Sequence, residues 1–106
     1  MDYFSICPAE KPLCGEVEIS GAKNAVLATM TAAMLADGVT TITNVPYLRD
    51  TKTMSNVLRV IGCRIDGGAH EFKVDTHGAN HLEAPYELVS TMRASFYVLG
   101  PLVSRF

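Results

Sequence analysis

The sequence is short of the features that mark several large protein classes. No continuous apolar run reaches the length of a signal-peptide core or a membrane span, and Asp2, Glu10 and Lys11 interrupt the amino-terminal stretch. That pattern indicates a cytoplasmic polypeptide with no membrane partner. There is no basic run or stripe either: nine Lys and Arg against eleven Asp and Glu leave a net charge of −2, so nothing draws in a nucleic-acid backbone. Cysteine is scarce. Cys7, Cys14 and Cys63 are odd in number and contain no C-x-x-C pair, which suits reduced thiols and offers neither a disulfide frame nor a zinc site. Low-complexity stretches and inter-domain linkers are also missing. What remains is a chain of 106 residues, 48% hydrophobic, a size and composition for one domain with a real core.

Along the chain, Met1 to Leu13 has no clear period, and Pro8 and Pro12 argue against a helix. From Gly15 the pattern becomes strict. Glu16, Glu18 and Ser20 alternate with Val17 and Ile19, the period of a half-buried strand. Val26, Leu27, Met30, Ala33 and Met34 then fall on one face of a helix that begins near Ala22 and stops at Asp37-Gly38. The β-branched run Val39-Thr40-Thr41-Ile42-Thr43 predicts a second strand, ended by Asn44-Val45-Pro46, and the spacing implies a β-α-β unit. A second helix follows, with Asp50 or Thr51 as its cap, Met54, Val57, Leu58 and Ile61 on its apolar face and Gly62 as its stop. Cys63–Asp66 and Glu71–Asp75 flank Gly67-Gly68 as a hairpin. Pro85 opens a third helical pattern through Leu88, Met92, Phe96 and Leu99, which Gly100-Pro101 breaks or kinks. The predicted order is β-α-β-α-β-β, then a helix. The chain stops on apolar residues without a polar tail, which reads as a truncation.

The chemistry concentrates in Ser20-Gly21-Ala22-Lys23-Asn24. A strand that delivers a glycine to a helix start leaves backbone N–H groups unpaired, with the positive end of the helix dipole behind them. Lys23 in that first turn is set against the dipole unless a negative group offsets both charges. Two readings stand on these residues alone: a site for phosphate or carboxylate, or a solvated lysine beside a turn glycine. Arg93, on an amphipathic helical pattern, reads on its own as one half of a surface ion pair. Asp50 is explained as a helix N-cap, and Tyr97, one turn beyond Arg93, as core. His77 and His81 flank Gly78-Ala79-Asn80 in a loop, where i, i+4 spacing does not align side chains; with His70 they are given surface roles rather than metal binding.

The run Gly15-Glu16-Val17-Glu18-Ile19-Ser20-Gly21-Ala22-Lys23-Asn24-Ala25, with Ala84-Pro85-Tyr86 and Thr91-Met92-Arg93-Ala94-Ser95, closely resembles the bacterial UDP-N-acetylglucosamine enolpyruvyl transferases. Asn44-Val45-Pro46, Asp50-Thr51 and Gly100-Pro101-Leu102-Val103 extend the match from about Leu13 onward. The sister 5-enolpyruvylshikimate 3-phosphate synthases follow their lysine with a serine-rich pattern, so Lys23-Asn24 favours the amino-sugar family.

The resemblance implies an α/β (α+β) fold made of repeated β-α-β-α-β-β units in an inside-out α/β barrel, here incomplete. It places residues 1–21 as a segment and strand that belong to the other domain of the complete enzyme, and 22–106 as a partial catalytic domain. It implies transfer of the enolpyruvyl group of phosphoenolpyruvate to the 3-hydroxyl of UDP-N-acetylglucosamine, the first committed step of peptidoglycan synthesis, with no redox cofactor and no metal. Lys23 and Asn24 match the pair that contacts phosphoenolpyruvate, and Arg93 the arginine that contacts UDP-N-acetylglucosamine. The general acid of the family follows the Gly-Pro-Leu-Val region, so it is expected beyond Phe106, on the missing carboxyl-terminal part of the same enzyme. None of the three cysteines stands in its context. The alternative expectation is a non-catalytic anion-binding, UDP-sugar-binding or assembly module built on one such unit.

Overall fold

The computed structural model describes residues 1–81 and 83–106. Among them, α1 (Lys23–Ala32) runs into a 3-10 turn at Ala33–Leu35 and leads to β1 (Val39–Thr43). Then come α2 (Arg49–Ile61), the hairpin of β2 (Arg64–Gly67) and β3 (Glu71–Asp75), the short α3 (Tyr86–Val89), a 3-10 stretch at Arg93–Val98 and α4 (Leu99–Arg105). The mixed α/β character expected of the sequence is present.

The sheet has the order β1-β3-β2 and is antiparallel throughout, with Thr40 opposite Val74 and Val74 opposite Ile65. Its apolar positions meet the helices: Ile42, Ile65 and Val74 are buried together with Leu27 and Met30 of α1 and Met54, Leu58 and Ile61 of α2. The apolar spacings of the first two helices therefore mark their inner faces. Gly62 ends α2 at φ +107, a conformation that favours glycine, and a Cβ there would run into the Gly78 carbonyl oxygen. The Asn80 and His81 amides take the orphaned Ile61 carbonyl, at 3.2 and 3.0 Å.

Three expectations need correction. The strand at 15–20 does not form: residues 1–20 carry no helix or strand and are all exposed, with Val17 88% and Ile19 83% accessible. A strand exists only where a neighbour completes its ladder, and among the described residues no strand pairs with 15–20. The unit accordingly opens on α1, and β1 finds its partner in β3 rather than in a parallel strand before it. This loose leader also explains a Cα radius of gyration of 17.5 Å, against about 13 Å for a compact domain of this length.

Secondly, α2 is not capped by Asp50. Leu48 holds the N-cap position in extended geometry, and Thr51 three residues on accepts the Leu48 N–H at 3.3 Å while its hydroxyl donates to the Leu48 carbonyl at 2.7 Å. Thirdly, the single helix expected over 85–99 is divided. The Thr91 hydroxyl donates to the Leu88 carbonyl at 2.7 Å, Met92 is extended, and the chain restarts as a 3-10 helix. Its buried positions, Met92, Ser95, Val98 and then Pro101, recur every third residue, whereas Phe96 and Leu99 are exposed. Gly100-Pro101 does not break a helix but lies in the first turn of α4, where a missing N–H costs nothing.

Candidate functional site

The start of α1 is held by a side chain of the strand-end residue Asn44. Its amide oxygen accepts the Gly21 N–H at 3.1 Å, and its amide nitrogen donates to the Ile19 carbonyl at 3.3 Å, so one side chain reads the backbone on both sides of Ser20. Asn44 itself sits at φ +55, a left-handed conformation that asparagine tolerates better than most residues. Gly21 is required by proximity, since a Cβ there would overlap the Asn44 carbonyl oxygen. The Gly21 N–H is thus committed to protein and is not an anion donor as its position in the sequence suggests.

The next residues are free for ligand. Ala22 is the N-cap, no side chain caps the helix, and its first turn contains no acid. The N–H groups of that turn retain their hydrogen-bonding capacity, with the dipole aligned behind them. Asn24 lies inside the helix, not at the cap position. Lys23 and Asn24 open onto a cleft of about 380 Å³ whose other walls are Asp50 from α2 and Thr91, Met92, Arg93 and Tyr97 from the turn and 3-10 stretch. The extended Met92 buries its own side chain and turns the chain so that Arg93, though 69 positions from Asn24 in sequence, lines the same space.

The structure therefore brings Lys23, Asn24 and Arg93 together. It also adds two side chains that the sequence reading left out. Asp50 meets Lys23 at Nζ···O 3.0 Å, with the two side chains 48% and 34% exposed on the lysine and aspartate sides. A pair this open contributes about 0–1 kcal/mol to stability, so its interest is electrostatic rather than structural. Tyr97 is half exposed on the cleft instead of buried in the core. The one signal that could release Asp50 from a capping role is the neighbouring Thr51, and for Tyr97 it is the threefold spacing of Met92, Ser95 and Val98, which an α-helical pattern overlays. Arg93 has no ion pair among the described residues, so the cleft offers two cations to one carboxylate.

The other candidate groups stand apart. Cys63 is buried and its thiol is pushed up by desolvation, with Arg105 opposing and Asp75 adding to the shift. Cys7 and Cys14 lie in the exposed leader. All three histidines are exposed: His70 Nδ1 sits 3.1 Å from the Val45 carbonyl, and His77 Nδ1 is 2.7 Å from Asp75. The described residues contain no cluster of His, Cys, Asp and Glu suited to a metal ion, and no helix long and apolar enough to cross a membrane.

Lys23 and Asn24 at the start of α1 thus share one cleft with Arg93 and Asp50. The chain belongs to the EPSP synthase (3-phosphoshikimate 1-carboxyvinyltransferase) family, whose pattern matches residues 8–106. Within it, the chain is 56% identical over 97 residues to the UDP-N-acetylglucosamine 1-carboxyvinyltransferase of Chloroherpeton thalassium, covering 91% of this chain and 23% of that protein. It is 46% identical over 108 residues to the enzyme of the same name from Vibrio parahaemolyticus, covering 100% of this chain and 25% of that one. Its fold superposes on the crystal structure of the enolpyruvyl transferase NikO from Streptomyces tendae with a TM-score of 0.75 and 33% identity, over 91% of this chain and 22% of that chain. The chain spans about a quarter of the length of the relatives it matches.

Proposed function

We propose that this polypeptide supplies one wall of an active site that transfers the enolpyruvyl group of phosphoenolpyruvate to the 3-hydroxyl of UDP-N-acetylglucosamine, the step that commits the sugar to peptidoglycan. The observation that carries the reading is the convergence of Lys23, Asn24 and Arg93 on one cleft at the uncapped start of α1. The name shared by the relatives supports it. In this reading Lys23 and the first-turn N–H groups hold the phosphate and carboxylate of phosphoenolpyruvate, and the neutral Asn24 amide orients a hydroxyl without competing for the anion. Arg93 grips the diphosphate of the sugar nucleotide through paired N–H donors.

Attack of the sugar oxygen on C2 requires a proton at C3. None of the three cysteines or three histidines lines this cleft, and in this reading the donor of that proton belongs to another wall of the parent enzyme. The chemistry calls on no redox cofactor. The domain division follows from the same reading: residues 22–106 form part of the catalytic domain, and the apolar alternation at 15–20 completes its ladder against a strand of the second domain.

The test is a Lys23→Ala variant. Binding of phosphoenolpyruvate and UDP-N-acetylglucosamine, followed by NMR titration, is expected to weaken by about tenfold or more, in line with the loss of a charge-assisted contact, while the melting temperature stays unchanged. Wild-type affinity for both ligands in that variant overturns the assignment.

A further inference from the structure

The cleft contains one side chain that plain electrostatics sets against an anionic ligand. Asp50 pairs with Lys23 at 3.0 Å and lines the same space as Arg93. The cap of the helix it stands on does not need it, because Leu48 holds the N-cap and Thr51 closes the reciprocal bond to the Leu48 backbone. Its carboxylate is not committed to the core, being 34% exposed. In the free protein one of the two cations that face the cleft is therefore already neutralised, and only Arg93 presents an uncompensated charge.

We propose that Asp50 is an affinity-setting counter-ion: an anionic ligand must draw the Lys23 ammonium away from this carboxylate before it can use it. The inference rests on the reading of the cleft as a seat for phosphate-bearing ligands. It assigns to Asp50 a role in specificity rather than in the stability of α2. The ammonium and carboxylate are both partly hydrated, so the exchange is between two comparable partners, and the cleft binds anions more weakly than its two cations alone would allow. A released carboxylate is left as a strong acceptor at the edge of the site, which suits a ligand that brings a hydroxyl beside its negative charge.

The experiment is an NMR titration of the 106-residue protein with phosphoenolpyruvate and, separately, inorganic phosphate, following the Lys23, Asn24 and Arg93 amides. Asp50→Asn is expected to bind both anions about fivefold more tightly, the size of a surface ion pair released, and Asp50→Glu to behave as wild type. In a Lys23→Ala background the gain from Asp50→Asn is expected to shrink to about twofold, since only repulsion remains to be relieved. Unchanged or weaker binding in Asp50→Asn overturns the proposal, as does an equal gain in both backgrounds. A fall in melting temperature with unchanged affinity also overturns it, because that is the mark of a residue serving α2 alone. If Lys23→Ala binds as well as wild type, or no protein responds to either anion, the anion-site reading itself fails.

Discussion

Residues 15–20 and β1 have nearly the same credentials as strands, yet only one of them is a strand. Val17 and Ile19 alternate with polar residues and β1 is a β-branched run from Val39 to Thr43, but the former pair is exposed and the latter run sits in a three-stranded sheet. The difference lies in the partner. β1 has β3 beside it in register from Val39 opposite Asp75 to Thr43 opposite Glu71, whereas among the described residues 15–20 pairs with no strand and its Ile19 carbonyl accepts from the Asn44 side chain. Alternation in a sequence states that a segment can be a strand with one buried face; it does not supply the neighbour that makes it one.

The contrast is sharpest in the core. Leu58→Ala removes a fully buried side chain from the face of α2 and is expected to cost about 2–5 kcal/mol, whereas Ile19→Ala, on a residue 83% exposed, stays within about 0.5 kcal/mol. Urea unfolding midpoints of the two variants measure this directly. A loss above about 1 kcal/mol in Ile19→Ala would show that the leader packs on the body in solution.

The boundary between the two regions is tested next. Gly21→Ala places a methyl group against the Asn44 carbonyl and displaces the amide tether, with an expected cost of about 1–3 kcal/mol. Hydrogen exchange should quicken at the start of α1 and stay slow in α2. Uniform acceleration throughout would mean instead that the tether belongs to the global core.

The smallest effect concerns charge at the far end of β3. Asp75 has its pKa lowered, first by the hydrogen bond from the His77 backbone N–H and then by the His77 ring, with burial opposing. A depressed carboxyl contributes stability that is present above the unfolded value of about 3.9 and is lost as pH falls through the lower folded value. Asp75→Asn is therefore expected to be slightly less stable than wild type at neutral pH, and the gap to close in strong acid. Denaturation midpoints taken on both sides of the aspartate range check the sign.

Much of this was legible in the residues. Met54, Val57, Leu58 and Ile61 announced the buried face of α2, and Gly67-Gly68 the hairpin, because local spacing decides both. The family resemblance names Lys23, Asn24 and Arg93 as candidates, and the fold puts the three on one cleft. Three things were hidden. Strand order depends on which edges meet, and nothing local says that β1 joins β3 in antiparallel fashion. Met92, Ser95, Val98 and Pro101 repeat every third residue, but Leu88, Met92, Phe96 and Leu99 mimic an α-helix closely enough to mask it. Asp50 satisfied every compositional rule for a cap, and only the extended backbone of Leu48 moves the cap and frees the carboxylate for Lys23.

The last turn of α4 has a bearing on how the unit comes together in time. The Arg105 guanidinium donates to the Met34 carbonyl at 2.6 Å and the Ala36 carbonyl at 2.7 Å, and pairs with Asp37 at 3.0 Å, across a sequence separation of up to 71 residues. Those carbonyls end the first helical segment, and the Ala36 carbonyl also accepts the Thr76 hydroxyl at 2.7 Å, so the end of that segment takes its partners from residues far along the sequence. On a ribosome, α1 is synthesised long before Arg105 emerges, and in refolding the closure must gather a long loop before it is rewarded. The end of the first helical segment is therefore tied to Thr76 and Arg105 together, and this wall of the cleft closes through long-range contacts rather than growing outward from α1.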